Sequence, residues 1–80
     1  MIEMKMKSYR CKRNFGSTEL DGTSFYVPFD AKVLARVSRK PELDITKKTE
    51  PNEIIIVQYK KRTCITKASR FIKYFAKAFE

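Results

Sequence analysis

The sequence predicts a small α+β domain, an antiparallel sheet of three or four strands with a C-terminal amphipathic helix packed across one face. Three features predict it. Ile2, Met4 and Met6 alternate with Glu3, Lys5 and Lys7, the period of a half-buried strand. Ile54-Ile55-Ile56-Val57 is a β-branched run suited to the centre of a sheet covered on both faces. Ala68, Phe71, Ile72, Phe75 and Phe79 fall on one helical stripe, with Lys67, Arg70, Lys73 and Lys77 on other faces.

In order along the chain, Tyr9 and Cys11 continue the first strand after a one-residue phase slip, for which a bulge near Ser8 would account. Residues 14–22 hold both glycines, Gly16 and Gly22, beside Asn14, Ser17 and Asp21, so they read as a loop. Thr23 to Val27 forms a second strand, ended by Pro28, which has no N–H for a ladder. Residues 31–40 fit two periods. Val33, Ala35 and Val37 alternate as in a strand, yet Asp30 as a cap, Arg36, Arg39 and Lys40 at the negative end of a helix dipole, and Pro41 as a stop favour a second short helix. Residues 42–53 are mostly polar and make a surface connection, with a short extended piece at Leu43 and Ile45. Ile54 to Tyr59 is the firmest strand, and Thr66 is the expected N-cap of the terminal helix.

All 80 residues fit one domain, at a size where a single core supplies only about 3 to 5 kcal/mol of net stability. A partner, or a second copy in a homodimer, can therefore contribute to the ordered state. The 42% of apolar residues mark a globular chain, and no uncharged run is long enough to span a bilayer. Two cysteines, Cys11 and Cys64, are too few to staple a secreted miniprotein, and the N-terminus alternates instead of forming an apolar targeting segment. A cytoplasmic protein with reduced thiols is expected.

Histidine is absent, which removes the commonest general base and the commonest neutral metal ligand. Cys11 and Cys64 form no CxxC pair, and the two glycines form neither a GxGxxG motif nor a P-loop. No cofactor or metal is expected. Glu42, Asp44, Glu50 and Glu53 are close enough in sequence to suggest a magnesium-dependent nuclease, against a simpler reading as a solvated acidic loop balancing Lys47 and Lys48. The expectation is a binding protein rather than an enzyme.

Charge points to the partner. Eighteen Lys and Arg oppose nine Asp and Glu, a net +9, and the excess sits at the two ends of the chain. Residues 1–14 carry five cations and one anion, residues 54–80 seven and one, and the middle six and seven. Arg10, Lys12 and Arg13 form one cluster beside Tyr9, and Lys60, Lys61 and Arg62 a second beside Tyr59. Arg70 and Lys73 can extend the basic surface. Cations that hold phosphate next to aromatics that stack unpaired bases are the elements of a nucleic-acid site, and the leading expectation is a DNA- or RNA-binding module of low sequence specificity. The alternative is a small inhibitor or adaptor, of the kind viruses encode against host machinery, docking on the acidic or nucleic-acid-binding surface of a larger protein. Solubility charges at strand ends, with both tyrosines packed as edge residues, would give the same pattern with no site at all. The site reading requires the two clusters to meet in space.

Overall fold

The computed structural model describes residues 6–19, 21–40, 42–46 and 48–77. Among them the chain forms seven strands and one short helix: β1 Lys7–Cys11, β2 Phe15–Thr18, β3 Ser24–Val27, β4 Lys32–Val37, β5 Ile54–Tyr59, β6 Arg62–Lys67, α1 Ala68–Tyr74 and β7 Phe75–Lys77. Five strands make an antiparallel sheet in the order β6-β5-β4-β1-β7, and β2 and β3 pair as a separate hairpin. The architecture is therefore mostly β, which corrects the expected α+β domain with a helix across its sheet.

Register decides which side chains make the core. In β4 the buried residues are Val33, Ala35 and Val37, opposed by Tyr9 and Lys7 of β1 on one side and by Val57 and Ile55 of β5 on the other. Cys64 and Thr66 of β6 and Cys11 and Phe75 at the other edge continue the same inner face. The hairpin, α1 and Ile45 cover that face, adding Phe15, Phe25, Val27, Ala68 and Phe71 to the core. Its rings meet edge to face, as Tyr9 does with Phe71 at 5.1 Å between centroids and Phe15 with Phe75 at 5.0 Å, whereas Phe71 and Phe75 stack at 4.6 Å.

Three expected elements change identity. Residues 31–40 are strand β4 and not a second helix, because the segment lies between β1 and β5 and its period of two gives each neighbour a buried partner. Residues 14–22 hold strand β2 as well as a turn. There the Asp21 carboxylate accepts the Thr23 backbone N–H at 2.9 Å and Gly22 adopts φ +91°, a left-handed conformation suited to glycine. The terminal helix stops after Tyr74, since the free edge of β1 offers a ladder to Phe75–Lys77 and Phe75 stays in the core opposite Cys11. Phe79 of the expected stripe, and Ile2 and Met4 of the expected first strand, lie outside the described residues. Thr66 belongs to β6, so the helix begins after Lys67 with no side-chain cap.

The bulge expected near Ser8 is absent too. Lys7, Ser8, Tyr9 and Arg10 pair in unbroken register with Ala35, Leu34, Val33 and Lys32. The phase slip in the sequence instead marks an inner position filled by a cation: Lys7 shares the side of Tyr9 and Cys11 but sits at the end of the strand, where its ammonium meets the Asp44 carboxylate and the Glu42 carbonyl. Met6 consequently belongs to the outer face, beside Arg36 and Ile56.

That outer face is only partly apolar and nothing in the chain's described residues lies over it. Leu34, Ile54 and Ile65 are 42%, 39% and 40% exposed, so β5, an interior strand beside the edge strand β6 and not the middle one, is covered on one face, not two. Arg10, Lys32, Arg36 and Lys67 share this side with no carboxylate among the described residues of the five strands.

Both cysteines are buried free thiols on the inner face. β4 and β5 separate their strands, and three steps of about 4.8 Å exceed the reach of a disulfide. Burial pushes both thiols upward, Cys64 to about 11. No helix is long and apolar enough to cross a membrane among the described residues.

Candidate nucleic-acid interface

β1 is antiparallel to β4, and β4 is antiparallel to β5, so β1 and β5 run in the same direction. Their C-terminal ends therefore leave the sheet on the same edge. The Arg10–Arg13 cluster follows one and the Lys60–Arg62 cluster follows the other, about 10 Å apart across two inter-strand steps. Lys32 starts β4 between them, paired with Arg10. Sequence distance hid Lys32: it is a lone cation in the near-neutral middle of the chain, and only strand order brings it to the clusters.

The turn joining β5 to β6 is two residues long, Lys60 and Lys61, with φ of +49° and +68°. Two consecutive left-handed residues are what a tight hairpin needs if its twist is to match the strands, and Asn-Gly is the sequence that meets this at least cost. Lysine at both positions keeps a strained backbone, of order 1–3 kcal/mol per residue, where two charges project from a tip. Neither lysine has an ion pair among the described residues, and the Lys60 Nζ lies 5.4 Å from the centroid of the Tyr59 ring.

Two shallow depressions flank this turn. One, about 210 Å³, lies on the outer side of the sheet between Lys32, Leu34, Gln58, Lys60 and Lys61. The other, about 350 Å³, lies against the hairpin and is bounded by Ser24, Tyr26, Lys60 and Arg62. The half-buried Tyr59 borders both. Among the described residues, no carboxylate lines either one.

Three carboxylates stand close by, of which Asp21 feels Arg62 through charge alone. Glu19 approaches Arg62 at 3.7 Å, and Arg62 also donates to the Ser24 carbonyl at 3.0 Å, so its guanidinium is held against the hairpin. Asp30 lies 3.5 Å from Arg10, but both are well exposed, and an exposed pair of that kind is weak.

The expected site residues separate into two groups. Arg10, Lys12, Arg13, Lys60, Lys61, Arg62 and Tyr59 lie at this end of the sheet, Lys12 donating through its ammonium to the Ile72 carbonyl at 3.1 Å in the last turn of α1. Lys73 is exposed on that same last turn. Arg70 lies apart from them and is engaged within the fold: its guanidinium lies 4.6 Å over the Phe15 ring and 5.3 Å over Tyr74 and donates to the Gly16 carbonyl at 2.6 Å. Tyr9 is 1% exposed and its hydroxyl accepts the Ile45 N–H, so it cannot stack on a ligand.

Two other aromatics are exposed near these cations. Tyr26, 55% exposed, faces outward from β3 between the buried Phe25 and Val27. Phe29, 65% exposed, tips the β3–β4 turn next to the first cluster, its N–H bound to the Asn14 side chain at 2.8 Å. The alternation Phe25-Tyr26-Val27 carried the signal for Tyr26, because two core positions force the residue between them to the other side. The acidic residues show no comparable convergence. Among the described residues no three carboxylates or thiols form a group that could hold a metal ion, and Asp44 is engaged with Lys7. Comparison with protein-family models, with curated proteins and with solved structures finds no match to this chain.

Proposed function

We propose that this protein is a nucleic-acid-binding module of low sequence specificity, gripping phosphates at the end of its five-stranded sheet. One observation supports this: β1 and β5 finish at the same end of the sheet, which brings clusters 50 residues apart in sequence to either side of Lys32, and no carboxylate among the described residues lines the two depressions beside the second cluster. Cations crowded within about 10 Å repel one another, and a polyanion relieves that repulsion while releasing its condensed counterions. Arg10, Arg13, Lys32, Lys60, Lys61 and Arg62 are the proposed phosphate ligands. The strained Lys60-Lys61 turn adds weight, because a sequence free to stabilise its hairpin would not keep two lysines there.

A salt titration of oligonucleotide binding tests it. With about four to six phosphates contacted, log K against log salt should fall with a slope of roughly −3 to −4 for a single strand. Lys61→Ala should flatten that slope by about 0.7. A chain that binds no oligonucleotide at about 50 mM salt would not be this module.

A second reading, an adaptor docking on an acidic protein surface, is favoured by the outer sheet face. Leu34, Ile54 and Ile65 are exposed there among Lys32, Arg36 and Lys67. A stoichiometric complex that survives nuclease treatment and is broken by Ile65→Asp would support it over the first.

A further inference from the structure

Among the described residues, the depressions, two buried thiols, the open sheet face and the acidic loop are the features from which a further site could be built. One depression, of about 350 Å³, combines two tyrosines with two cations: Tyr26 of β3 and Tyr59 of β5 line it together with Lys60 and Arg62. We propose that this cleft takes the unpaired base of a single-stranded nucleic acid, with the flanking phosphates held by Lys60 and Arg62. The proposal rests on the nucleic-acid reading above and narrows it to one substrate class.

The chemistry of the cleft is not that of a bare phosphate site. Phosphate is satisfied by cations and backbone N–H groups and gains nothing from aromatic rings, whereas a base has two π-faces that need a flat apolar partner. Tyr26 offers such a face, being held outward by the burial of its neighbours Phe25 and Val27. Tyr59 is fixed at the end of β5 by its pairing with Arg62 across the tight turn. The depression that both tyrosines line, about 350 Å³, lies within the usual range of about 300–1,000 Å³ for small-ligand sites. The phenol hydroxyls can hydrogen-bond a base edge, and neither belongs to a motif that would read one base over another.

Arg62 is pre-positioned. Its donation to the Ser24 carbonyl at 3.0 Å ties the start of β6 to the start of β3, and Glu19 at 3.7 Å steadies the guanidinium, so the cation at the cleft does not have to be ordered on binding. Duplex nucleic acid cannot use the cleft, since its bases are already stacked and paired. The outer depression at Lys32 and Leu34 remains open to the phosphates of either form.

Binding of a short oligothymidine and of a duplex of equal length, followed by fluorescence anisotropy over a series of salt concentrations, tests the assignment. At physiological salt the single strand should bind about tenfold more tightly, the typical worth of one stacked base, and the preference should narrow as salt is lowered because duplex binding has the steeper salt dependence. Tyr26→Ala should remove about that factor for the single strand and leave duplex affinity and the salt slope unchanged, and Tyr26→Phe should restore it. Tyr26→Trp supplies a readout independent of affinity, with indole emission quenched by the single strand and not by the duplex. Equal affinity for both probes, with Tyr26→Ala silent and the salt slope intact, would overturn the base cleft while leaving the phosphate-binding reading standing. No binding of either probe would overturn both.

Discussion

The backbone N–H of Ile45 donates to the hydroxyl of Tyr9 at 3.0 Å, and that bond ties the long β4–β5 connection to the core. Tyr9 lies on the inner face of β1 and Ile45 is the one buried side chain among the described residues of the connection. A polar segment is thereby anchored by one aliphatic side chain and one hydroxyl reaching out of the sheet, together with the Lys7 ammonium that holds Glu42 and Asp44. Tyr9→Phe keeps the ring against Phe71 but leaves the Ile45 N–H without this acceptor, at a cost of about 1–3 kcal/mol. Urea unfolding should show the loss, and amide hydrogen exchange should speed up in residues 42–46 more than in β5.

Lys60 and Lys61 hold a turn geometry better suited to other residues. The double substitution Lys60→Asn with Lys61→Gly should stabilise the fold by about 1–2 kcal/mol, with a melting temperature higher by roughly 4–8 °C for each kcal/mol. The same pair of changes should weaken oligonucleotide binding and flatten its salt dependence by about 1.4. Thermal melts and anisotropy on one preparation measure both effects. A variant that is more stable and binds equally well would show that the lysines serve no ligand.

Ile55 of β5 and Ile65 of β6 lie on opposite faces of the sheet, paired with Thr66 and Ile56 respectively. Ile55 has no exposed surface, whereas Ile65 is 40% exposed on the open side. Ile55→Ala should cost about 2–5 kcal/mol, and Ile65→Ala well under half of that. Chemical denaturation of the two variants tests the face assignment directly, because reversed sensitivities would mean that β5 and β6 together are shifted by one residue against β4.

Cys64 gives the fold a pH limit. Burial raises its thiol from 9.0 to about 11, so below pH 9 the proton is on in both folded and unfolded chains and the full stability is present. Above 9 the unfolded chain ionises first and binds fewer protons than the folded one, so stability falls as pH rises towards 11. Cys11, raised by burial as well, adds in the same direction. Denaturation midpoints measured between about pH 8 and 10 should decline, and the decline should be shallower in a Cys11→Ala, Cys64→Ala double variant. Ellman's reagent should find neither thiol in the folded protein and both after unfolding.

Much of the sheet is legible in the sequence because its strands carry their own period. Thr23 to Val27 and Ile54 to Tyr59 differ from β3 and β5 by at most one residue. Residues 31–40 mislead because Asp30, Pro41 and a run of cations imitate helix punctuation, and only the neighbouring strands decide that Val33, Ala35 and Val37 act at a period of two. The terminal stripe fits a helix through Phe75, and nothing local ends it; the edge of β1 does, by offering hydrogen bonds that a helix end lacks. In the candidate site the cation clusters are visible as runs of charge. Lys32 is not, since its partners come from strand order, and Tyr9 passes for a surface ring because a buried tyrosine and an exposed one look alike beside an arginine.

The proposed site exists only if cations from the two ends of the chain form one surface with Lys32. Amide chemical-shift mapping with an oligonucleotide of about six residues, a normal footprint for a small single-strand-binding domain, tests this most directly. Residues 10–13, 29–32 and 59–62, together with Tyr26, should shift along one saturation curve, while Lys67 and the start of α1 stay still. Shifts confined to one cluster, or spread over the whole outer face of the sheet, would contradict it.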